Sequence, residues 1–400
     1  MKTPIIVLSA IFLFNSCTKK TPEPVPVVPE PPGLDREAVL LEEAAVLVSL
    51  MTDGQLAAQV IMAGVDACGP PDGDEEERLR RVPVGAVMLF RKNLDTDADS
   101  IRRMTDGILA AAGYSLPGTE DRLEPFIALD HEGGDVHRFT SGVERLPAPL
   151  SYFDMAERSG REAALLAVEA DAARSAAGLA ALGITMNLAP LAETLTDGNR
   201  AFLGTRSYGP DPDFTAAAAA AFMHGMKAAG IACVLKHFPG NSEIDPHLGT
   251  PILSGGEEAL RQATAPFAAL IAVSGGGLQP AGVMISHVVV PGWDEGRNAS
   301  LSEVAMRQKL RGELGFNGII LADDFSMGAV SGGYGTAEKS VTALAAGADM
   351  VMAWPRNLAG VHNTILSALA DGRLTRARLR DAASRIVREK LRRAAAPIPG

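Results

Sequence analysis

The stretch Ile-Ala-Cys-Val-Leu-Lys-His-Phe-Pro-Gly, residues 231–240, predicts a buried strand that ends in polar side chains. Its first five residues are apolar without alternation, which is typical of a parallel strand covered on both faces. Lys236 and His237 stand at the carboxyl end, and a Pro-Gly pair then breaks the strand. The loop beyond carries Asp245 and His247, and an Asp two residues before a His can hold the imidazole in one tautomer and raise its basicity. The stretch therefore predicts a proton-transfer group near the end of a strand.

Similar short apolar runs recur along the chain between Ala-rich helical patterns. The other seven runs span residues 57–64, 85–90, 125–130, 184–188, 282–286, 318–322 and 349–353. Eight such strands alternating with helices predict an α/β fold, a (β/α)8 TIM barrel that forms a single catalytic domain over residues 34–392, with a tail at 393–400. The first run also fits a helix, since its Ala-Gln-Val-Ile-Met segment suits either element.

Polar side chains gather at the predicted carboxyl ends of these strands. Asp130 and Glu132 follow the third run, His287 follows the sixth, and the pair Asp323-Asp324 follows the seventh. Barrel enzymes carry their chemistry at this end. The clustering therefore predicts an active site, with a carboxylate nucleophile and an Asp-His pair as its reacting groups.

The charge and the cysteine content limit which binding partners and covalent links we expect. The net charge of −11 argues against a nucleic-acid partner, because no basic patch compensates it. The Arg-rich stretch 373–393 has helical spacing and predicts a solvated helix face. Cys233 lies inside a predicted strand and Cys68 in a Gly/Pro loop, so these two cysteines give no disulfide framework.

The amino-terminal segment is typical of an export signal and is not expected to be part of the folded domain. Residues 1–17 contain a lysine, an apolar run too short for a membrane span of ~20 residues, and Asn-Ser-Cys at the end. The small residue before Cys17 resembles a bacterial lipoprotein processing site, and we expect a lipid on Cys17. The alternative is an ordinary secretory peptide with an incidental cysteine. The Pro-rich residues 18–33 predict an extended linker that holds the domain roughly 40 Å from a membrane.

These segments predict secretion across the inner membrane and lipid anchoring in the bacterial cell envelope. Two locations fit equally: the anchored protein faces either the periplasm or the cell surface. We further expect a monomer.

Several motifs resemble the glycoside hydrolase family 3 catalytic barrel, and within it the β-N-acetylhexosaminidase branch. They are Leu-Asp-His-Glu-Gly-Gly from Leu129, Gly-Thr-Arg-Ser-Tyr-Gly from Gly204, Lys-His-Phe-Pro-Gly from Lys236 with the Asp-x-His that follows, and Ala-Asp-Asp-Phe-Ser-Met from Ala322. The resemblance covers nearly all of residues 45–355. The Lys-His-Phe-Pro-Gly motif with its Asp-x-His is highly specific to this branch.

The resemblance implies a role for each matching residue. Asp323 matches the nucleophile, His247 the acid/base and Asp245 its orienting partner. The residues matching sugar-binding positions are Asp130, Arg206, Lys236 and His237, and those matching positions that line the site are His287 and Met327. The implied activity is that of a retaining exo-β-N-acetylglucosaminidase on glycans containing N-acetylglucosamine, such as peptidoglycan fragments (muropeptides). No metal or organic cofactor is implied.

The loop that carries His247 departs from the family pattern. It is shorter than usual, and the ring of Pro246 fixes the φ angle of that residue at ~−65°. Glu193 stands where the family usually has Asp.

Three other functions remain open at this point: a β-glucosidase-type family 3 hydrolase, a metal-dependent barrel hydrolase and a non-catalytic sugar-binding lipoprotein. The metal enzyme would use His237, His247, His287 and Asp323 as ligands. Individual residues also have structural alternatives. Asp323 and Asp324 can cap a turn or helix, His287 can be a core histidine, and Lys236 can pair with Asp130 or Glu132.

Overall fold

The structure, a computed structural model, describes residues 36–119, 122–242, 244–272, 279–294, 296–330 and 334–394. The predicted signal segment 1–17 with Cys17, and the linker 18–33, lie outside the described residues. None of the described helices combines the length and the apolarity that crossing a bilayer requires.

Eight parallel strands form the barrel, and each predicted run contributes one of them. The strands in chain order are β1 Ile61–Gly64, β2 Ala86–Met88, β3 Tyr114–Ser115, β4 Arg122–Leu123, β5 Phe126–Leu129, β6 Met186–Asn187, β7 Ala232–Phe238, β8 Gly282–Ile285, β9 Ile319–Ala322 and β10 Val351–Ala353. The barrel order is β10-β1-β2-β5-β6-β7-β8-β9, while β3 and β4 form a separate antiparallel pair. A parallel bridge between Leu321 and Met350 joins β9 to β10. The sheet therefore closes, and the predicted TIM barrel is confirmed.

Helices surround the strands. They are α1 Arg36–Ser49, α2 Asp53–Gln59, α3 Gly73–Arg81, α4 Arg91–Leu94, α5 Ala98–Ala112, α6 Pro149–Ser159, α7 Arg161–Ala181, α8 Arg200–Leu203, α9 Pro212–Lys227, α10 Gly256–Ala272, α11 Thr336–Ala346, α12 Leu358–Ala370 and α13 Arg376–Ala394. A π-helix spans Val304–Glu313, and 3-10 turns span Gly204–Arg206, Ala299–Leu301 and Gly328–Val330.

The first apolar run belongs to two elements. Its opening residues complete α2, whose start is fixed by a capping box in which Thr52 N donates to Gln55 Oε1 at 2.9 Å and Gln55 N donates to Thr52 Oγ1 at 3.2 Å. Its closing residues form β1. Both interpretations of this run are therefore right for part of it, because a buried helix end and a buried strand are equally apolar.

The Arg-rich helix α13 departs from its prediction. Its apolar face is buried, but some of its arginines also turn inward. Arg388 is buried and donates to the carbonyl oxygen of Asn317 at 2.6 Å. Arg378 and Arg385 reach the buried Asp349, with N–O distances of 2.9 and 3.3 Å. The prediction of a plainly solvated face is wrong for these three residues. For Arg378 and Arg385 the reason is that the buried carboxylate of Asp349, just before β10, requires cationic partners.

Candidate active site

A cavity of about 480 Å³ opens at the carboxyl ends of the barrel strands. Among the side chains that line it are Asp130, Arg206, Lys236, His237, Asp245, His247, Asp323 and Met327. The fold thus brings together every predicted site residue of the barrel except His287, which lies behind the cavity wall. Residues from distant parts of the chain meet here because parallel strands end on one face of the barrel.

Asp323 is the first residue after β9 and reaches the cavity. Its Oδ1 accepts a hydrogen bond from the backbone N–H of Asp324 at 2.8 Å. Burial raises the pKa of Asp323, but the neighbouring imidazoles of His287 and His237 outweigh this effect and hold the pKa below its usual range. The carboxyl is therefore ionised at neutral pH, as a nucleophile must be.

Asp324 has the structural role that the sequence predicted for it. Its Oδ1 accepts from Ser326 N at 2.8 Å, and its Oδ2 accepts from Ser326 Oγ at 2.6 Å and from Trp354 Nε1 at 3.0 Å. These bonds close the turn that follows the nucleophile. The capping role expected for one of the two carboxylates thus falls to Asp324.

A buried ionic network supports one side of the cavity. Lys236 Nζ lies 2.7 Å from Asp130 Oδ1 and 2.6 Å from Glu132 Oε1. Arg206 donates from Nε and Nη2 to the two Glu132 oxygens, both at 2.8 Å. Burial raises the pKa of Glu132, but Lys236 and Arg206 outweigh it, so this pKa lies well below its usual range. Lys236 is thus both an ion-pair partner and a cavity residue, and an ammonium keeps a third donor for a ligand.

His237 is fixed by a residue whose role the sequence did not reveal. Its Nδ1 lies 2.6 Å from Oε1 of Glu193, and Oε2 of Glu193 accepts from Asn241 N at 2.5 Å. Ser286 Oγ in turn donates to Asn241 Oδ1 at 2.5 Å. The longer side chain at 193, in place of the usual Asp, is the only sequence signal. This arrangement turns Nε2 of His237 away from Glu193, and His237 lines the cavity.

Among the three histidines predicted to belong to the site, His287 is the one that does not line the cavity. It is fully buried, with Nδ1 at 2.7 Å from Ser300 Oγ and Nε2 at 2.9 Å from the carbonyl oxygen of Asp324. Burial lowers the pKa of its imidazole. The core-histidine alternative therefore describes it: both ring nitrogens are engaged, and the ring supports the backbone beside Asp323.

The loop after β7 carries Asp245 and His247 to the same cavity as Asp323 despite its short length. His247 Nδ1 lies 2.8 Å from Asp245 Oδ1, which also accepts from His247 N at 2.9 Å. Burial raises the pKa of Asp245, but these hydrogen bonds outweigh it and the pKa is lowered. The His247 side chain is 70% exposed, so its other nitrogen is open to a ligand or to water.

The predicted metal alternative finds no support in the part of the chain that the structure describes. There, no group of three or more His, Cys, Asp or Glu side chains is arranged to hold a metal ion. The imidazole nitrogens of His287 are both hydrogen-bonded, and Nδ1 of His237 faces Glu193.

Two aromatic side chains complete the cavity and were missed in the sequence. Phe90 follows β2 and Trp354 follows β10, and both line the cavity. Their rings meet edge to face, with centroids 5.1 Å apart and planes at 67°. Their position just after two strands was the available signal, but an apolar side chain at a strand end is equally typical of the core.

Comparison with known proteins identifies a family for this chain. Residues 53–389 match the glycosyl hydrolase family 3 N-terminal domain. This match lies inside the predicted domain, residues 34–392. A beta-hexosaminidase from Tolumonas auensis (strain DSM 9187 / NBRC 110442 / TA 4) is 35% identical over 302 residues, which cover 73% of this chain and 82% of the relative.

Two solved structures are similar over most of the chain. A glycoside hydrolase family 3 beta-N-acetylglucosaminidase from Paenibacillus sp. str. FPU-7 superposes with a TM-score of 0.76 at 29% identity, covering 88% of this chain and 64% of that one. NagZ from Neisseria gonorrhoeae, solved in complex with N-trifluoroacetyl-D-glucosamine, gives a TM-score of 0.68 at 29% identity, covering 86% and 91%.

Proposed function

This chain belongs to glycosyl hydrolase family 3, and from that membership and the geometry of its cavity we propose that it is a β-N-acetylhexosaminidase. It removes a terminal N-acetylglucosamine from glycans such as peptidoglycan fragments. The observation that carries the proposal is the meeting of Asp323, the Asp245–His247 pair and the Asp130–Lys236 pair in one cavity. Its volume, about 480 Å³, lies within the usual ~300–1,000 Å³ of small-ligand sites. The name beta-hexosaminidase of the relative supports the choice of sugar.

The proposed reaction is a retaining hydrolysis in two steps. Asp323 attacks the anomeric carbon while the imidazolium of His247 gives its proton to the leaving oxygen, so that the glycosidic bond breaks and a glycosyl ester forms. The neutral imidazole then takes a proton from water, the resulting hydroxyl attacks the same carbon, and Asp323 leaves as a carboxylate. Asp245 stabilises the imidazolium and fixes its tautomer, since its Oδ1 lies 2.8 Å from Nδ1.

Recognition of the sugar falls to the polar side of the cavity. Asp130 offers acceptors and Lys236, Arg206 and His237 offer donors for hydroxyl groups, and Met327 adds an apolar contact. The charges are balanced before any ligand arrives, because each cation already lies against a carboxylate. An uncharged sugar therefore enters without leaving a buried charge unpaired.

The decisive experiment is Asp323→Ala, assayed on an aryl β-N-acetylglucosaminide. We expect kcat to fall by a factor on the order of 10³ or more, because the covalent route is lost. Asp197→Ala is the control, since its side chain is fully exposed. Near wild-type turnover in Asp323→Ala would overturn the assignment of the nucleophile.

The same assay separates the alternatives. An aryl β-glucoside assayed beside the N-acetylglucosaminide tests for the glucosidase. Added phosphate shows whether phosphate competes with water as the acceptor of the sugar. Loss of activity with EDTA would favour the metal enzyme. Sugar binding without any hydrolysis would favour the binding lipoprotein, for which an ionised Asp323 in the cavity has no use.

We also propose that the protein is a monomeric lipoprotein, exported across the inner membrane and held in the cell envelope through a lipid on Cys17. Its support is the sequence alone: a charged start, a short apolar run, and Ser16-Cys17 before a Pro-rich linker. These residues lie outside those described. When a detergent extract of cells expressing the protein is separated into two phases, Cys17→Ala should move the protein from the detergent phase to the aqueous phase. An unchanged distribution would contradict the lipid anchor.

A further inference from the structure

Trp354 is the largest apolar side chain among those that line the active-site cavity. It follows β10 directly and is partly buried. None of the polar interactions assigned to the reaction or to sugar hydroxyls uses it. Trp354 lies in the cavity wall beside Asp323 and Asp324, so we asked which contact with the substrate it can make.

The indole is held on three sides. Its Nε1 donates to Asp324 Oδ2 at 3.0 Å, and Phe90 meets it edge to face at 5.1 Å. Gly64 of β1 lies beneath it, where a Cβ would come within 2.6 Å of the indole Cε3. Only glycine permits this approach. A side chain fixed in this way loses little conformational entropy when a ligand binds against it.

The aromatic wall stands across the barrel from the polar wall. Phe90 and Trp354 follow β2 and β10, the two neighbours of β1 in the barrel order. In a ring of eight strands, β1 lies opposite β7, and β7 carries Lys236 and His237. A ring in the cavity would thus have hydrogen-bonding groups on one side and an aromatic surface on the other.

A pyranoside matches such a cavity. Its equatorial hydroxyls point outward along the ring edge, while its face presents C–H bonds. The face of an aromatic ring carries negative potential, which attracts these slightly positive hydrogens. We propose that Trp354 is a specificity-determining residue on which the substrate sugar stacks, and that its N–H positions the nucleophile through Asp324. This inference rests on the proposed function, because it assumes a pyranoside in the cavity.

The positioning role follows from the contacts of Asp324. Its carboxylate accepts from Trp354, while its backbone N–H donates to Asp323 Oδ1 at 2.8 Å. Loss of the indole donor would remove one of the bonds that hold the Asp324 turn and leave those from Ser326, Met327 and His287. The nucleophile would then lose part of its orientation while the aromatic surface could be kept.

Two substitutions separate stacking from positioning. Trp354→Phe keeps an aromatic face but removes the donor, so kcat should fall roughly tenfold while KM stays within about threefold. Trp354→Leu removes both, so KM should also rise roughly tenfold. Wild-type kcat and KM in Trp354→Leu would overturn the inference.

Fluorescence gives a second readout that does not depend on these variants folding. The chain has two tryptophans, and Trp293 stacks on Phe238 rather than lining the cavity. In Trp293→Phe the emission therefore comes from Trp354 alone. Titration with N-acetylglucosamine should change that emission with the dissociation constant that calorimetry gives.

The outcomes are distinct. Calorimetric binding without any change in Trp354 emission would overturn the inference and leave the proposed function intact. If the unmodified protein neither binds N-acetylglucosamine nor hydrolyses its aryl glycoside, the proposed function fails, and this inference fails with it.

Discussion

At the scale of single residues, Glu193 shows how much of this site depends on side chains that stand behind the reacting groups. Its two oxygens receive the Nδ1–H of His237 and the backbone N–H of Asn241, at 2.6 and 2.5 Å. Glu193→Gln offers one acceptor oxygen to these two donors. A hydrogen bond to a charged group is worth about 1.5–3 kcal/mol. We expect kcat/KM to fall roughly tenfold to a hundredfold, measured on the aryl glycoside.

The same substitution should lower the free energy of unfolding by about 1–3 kcal/mol, because one buried donor is left unpaired. Glu144→Gln is the matched control, since Glu144 pairs with Arg174 on the surface with both side chains 52% exposed. Such a pair contributes about 0–1 kcal/mol. Unchanged kinetics in Glu193→Gln would contradict a role for Glu193 in holding His237.

The sequence could identify Asp323 and Lys236 as site residues because each is a polar residue at a predicted strand end, and His247 because it stands two residues after Asp245. It could not give Glu193 its role, since this residue is 44 positions from His237 and their contact depends on how the loop that carries Glu193 packs against β7. His287 illustrates the converse. A strand-end position does not tell whether a side chain faces the cavity or the layer behind it, and Ser300 and Asp324 engage both its nitrogens.

At the scale of elements, the loop that carries His247 is held against the 3-10 turn Gly328–Val330. Ala329 N donates to Pro246 O at 2.9 Å, and Thr250 Oγ1 donates to Ala329 O at 2.7 Å. A Cβ on Gly328 would lie 2.4 Å from the carbonyl oxygen of His247. Gly328→Ala should therefore displace His247 from its position over the cavity.

The expected result of Gly328→Ala is selective. A good leaving group needs little acid assistance, so the first step with an activated aryl glycoside should slow less than that with a poorly activated one. We expect the rate ratio between the two to grow roughly tenfold in single-turnover measurements. Gly335→Ala is the control, because a Cβ there meets nothing within 4 Å. Equal slowing of both substrates would argue against displacement of the acid.

Elements were predicted well where their pattern was unambiguous. Seven of the apolar runs gave strands, since a short run between helical patterns has one good interpretation. The run at 57–64 gave the end of α2 and the whole of β1. Apolarity alone cannot place that boundary; the capping box at Thr52, which marks where α2 begins, could have been recognised from the Thr-x-x-Gln pattern.

At the scale of the whole molecule, the sequence predicted a barrel but not how it closes. The closing strands β9 and β10 make few ladder contacts, and the ends of both lie against Asp349. This carboxylate is fully buried, accepts from Ile320 N at 2.9 Å, and pairs with Arg311, Arg378 and Arg385. The Arg-rich stretch gave no sign of this role, because its spacing is equally typical of a solvated helix.

Asp349→Asn tests whether this cluster holds the barrel closed. The amide keeps an acceptor for Ile320 N but leaves three arginines without their buried counter-charge. Removing one member of a buried ionic cluster costs about 3–5 kcal/mol, so the free energy of unfolding in urea should fall by about that amount. Asp381→Asn is the matched control: Asp381 pairs with the same Arg378 and Arg385, but its side chain is 52% exposed. Its loss should cost about 0–1 kcal/mol.

Catalysis should respond differently from stability in these two variants. Asp349 precedes β10 at the amino-terminal end of the barrel, whereas Trp354 and the cavity lie at the other end. Below the unfolding transition, kcat and KM of Asp349→Asn should therefore stay within about twofold of the unmodified protein. A large loss of kcat in a fully folded Asp349→Asn would show that the cluster reaches the active site. If Asp349→Asn and Asp381→Asn lowered the free energy of unfolding equally, the burial of Asp349 would not explain its contribution to stability.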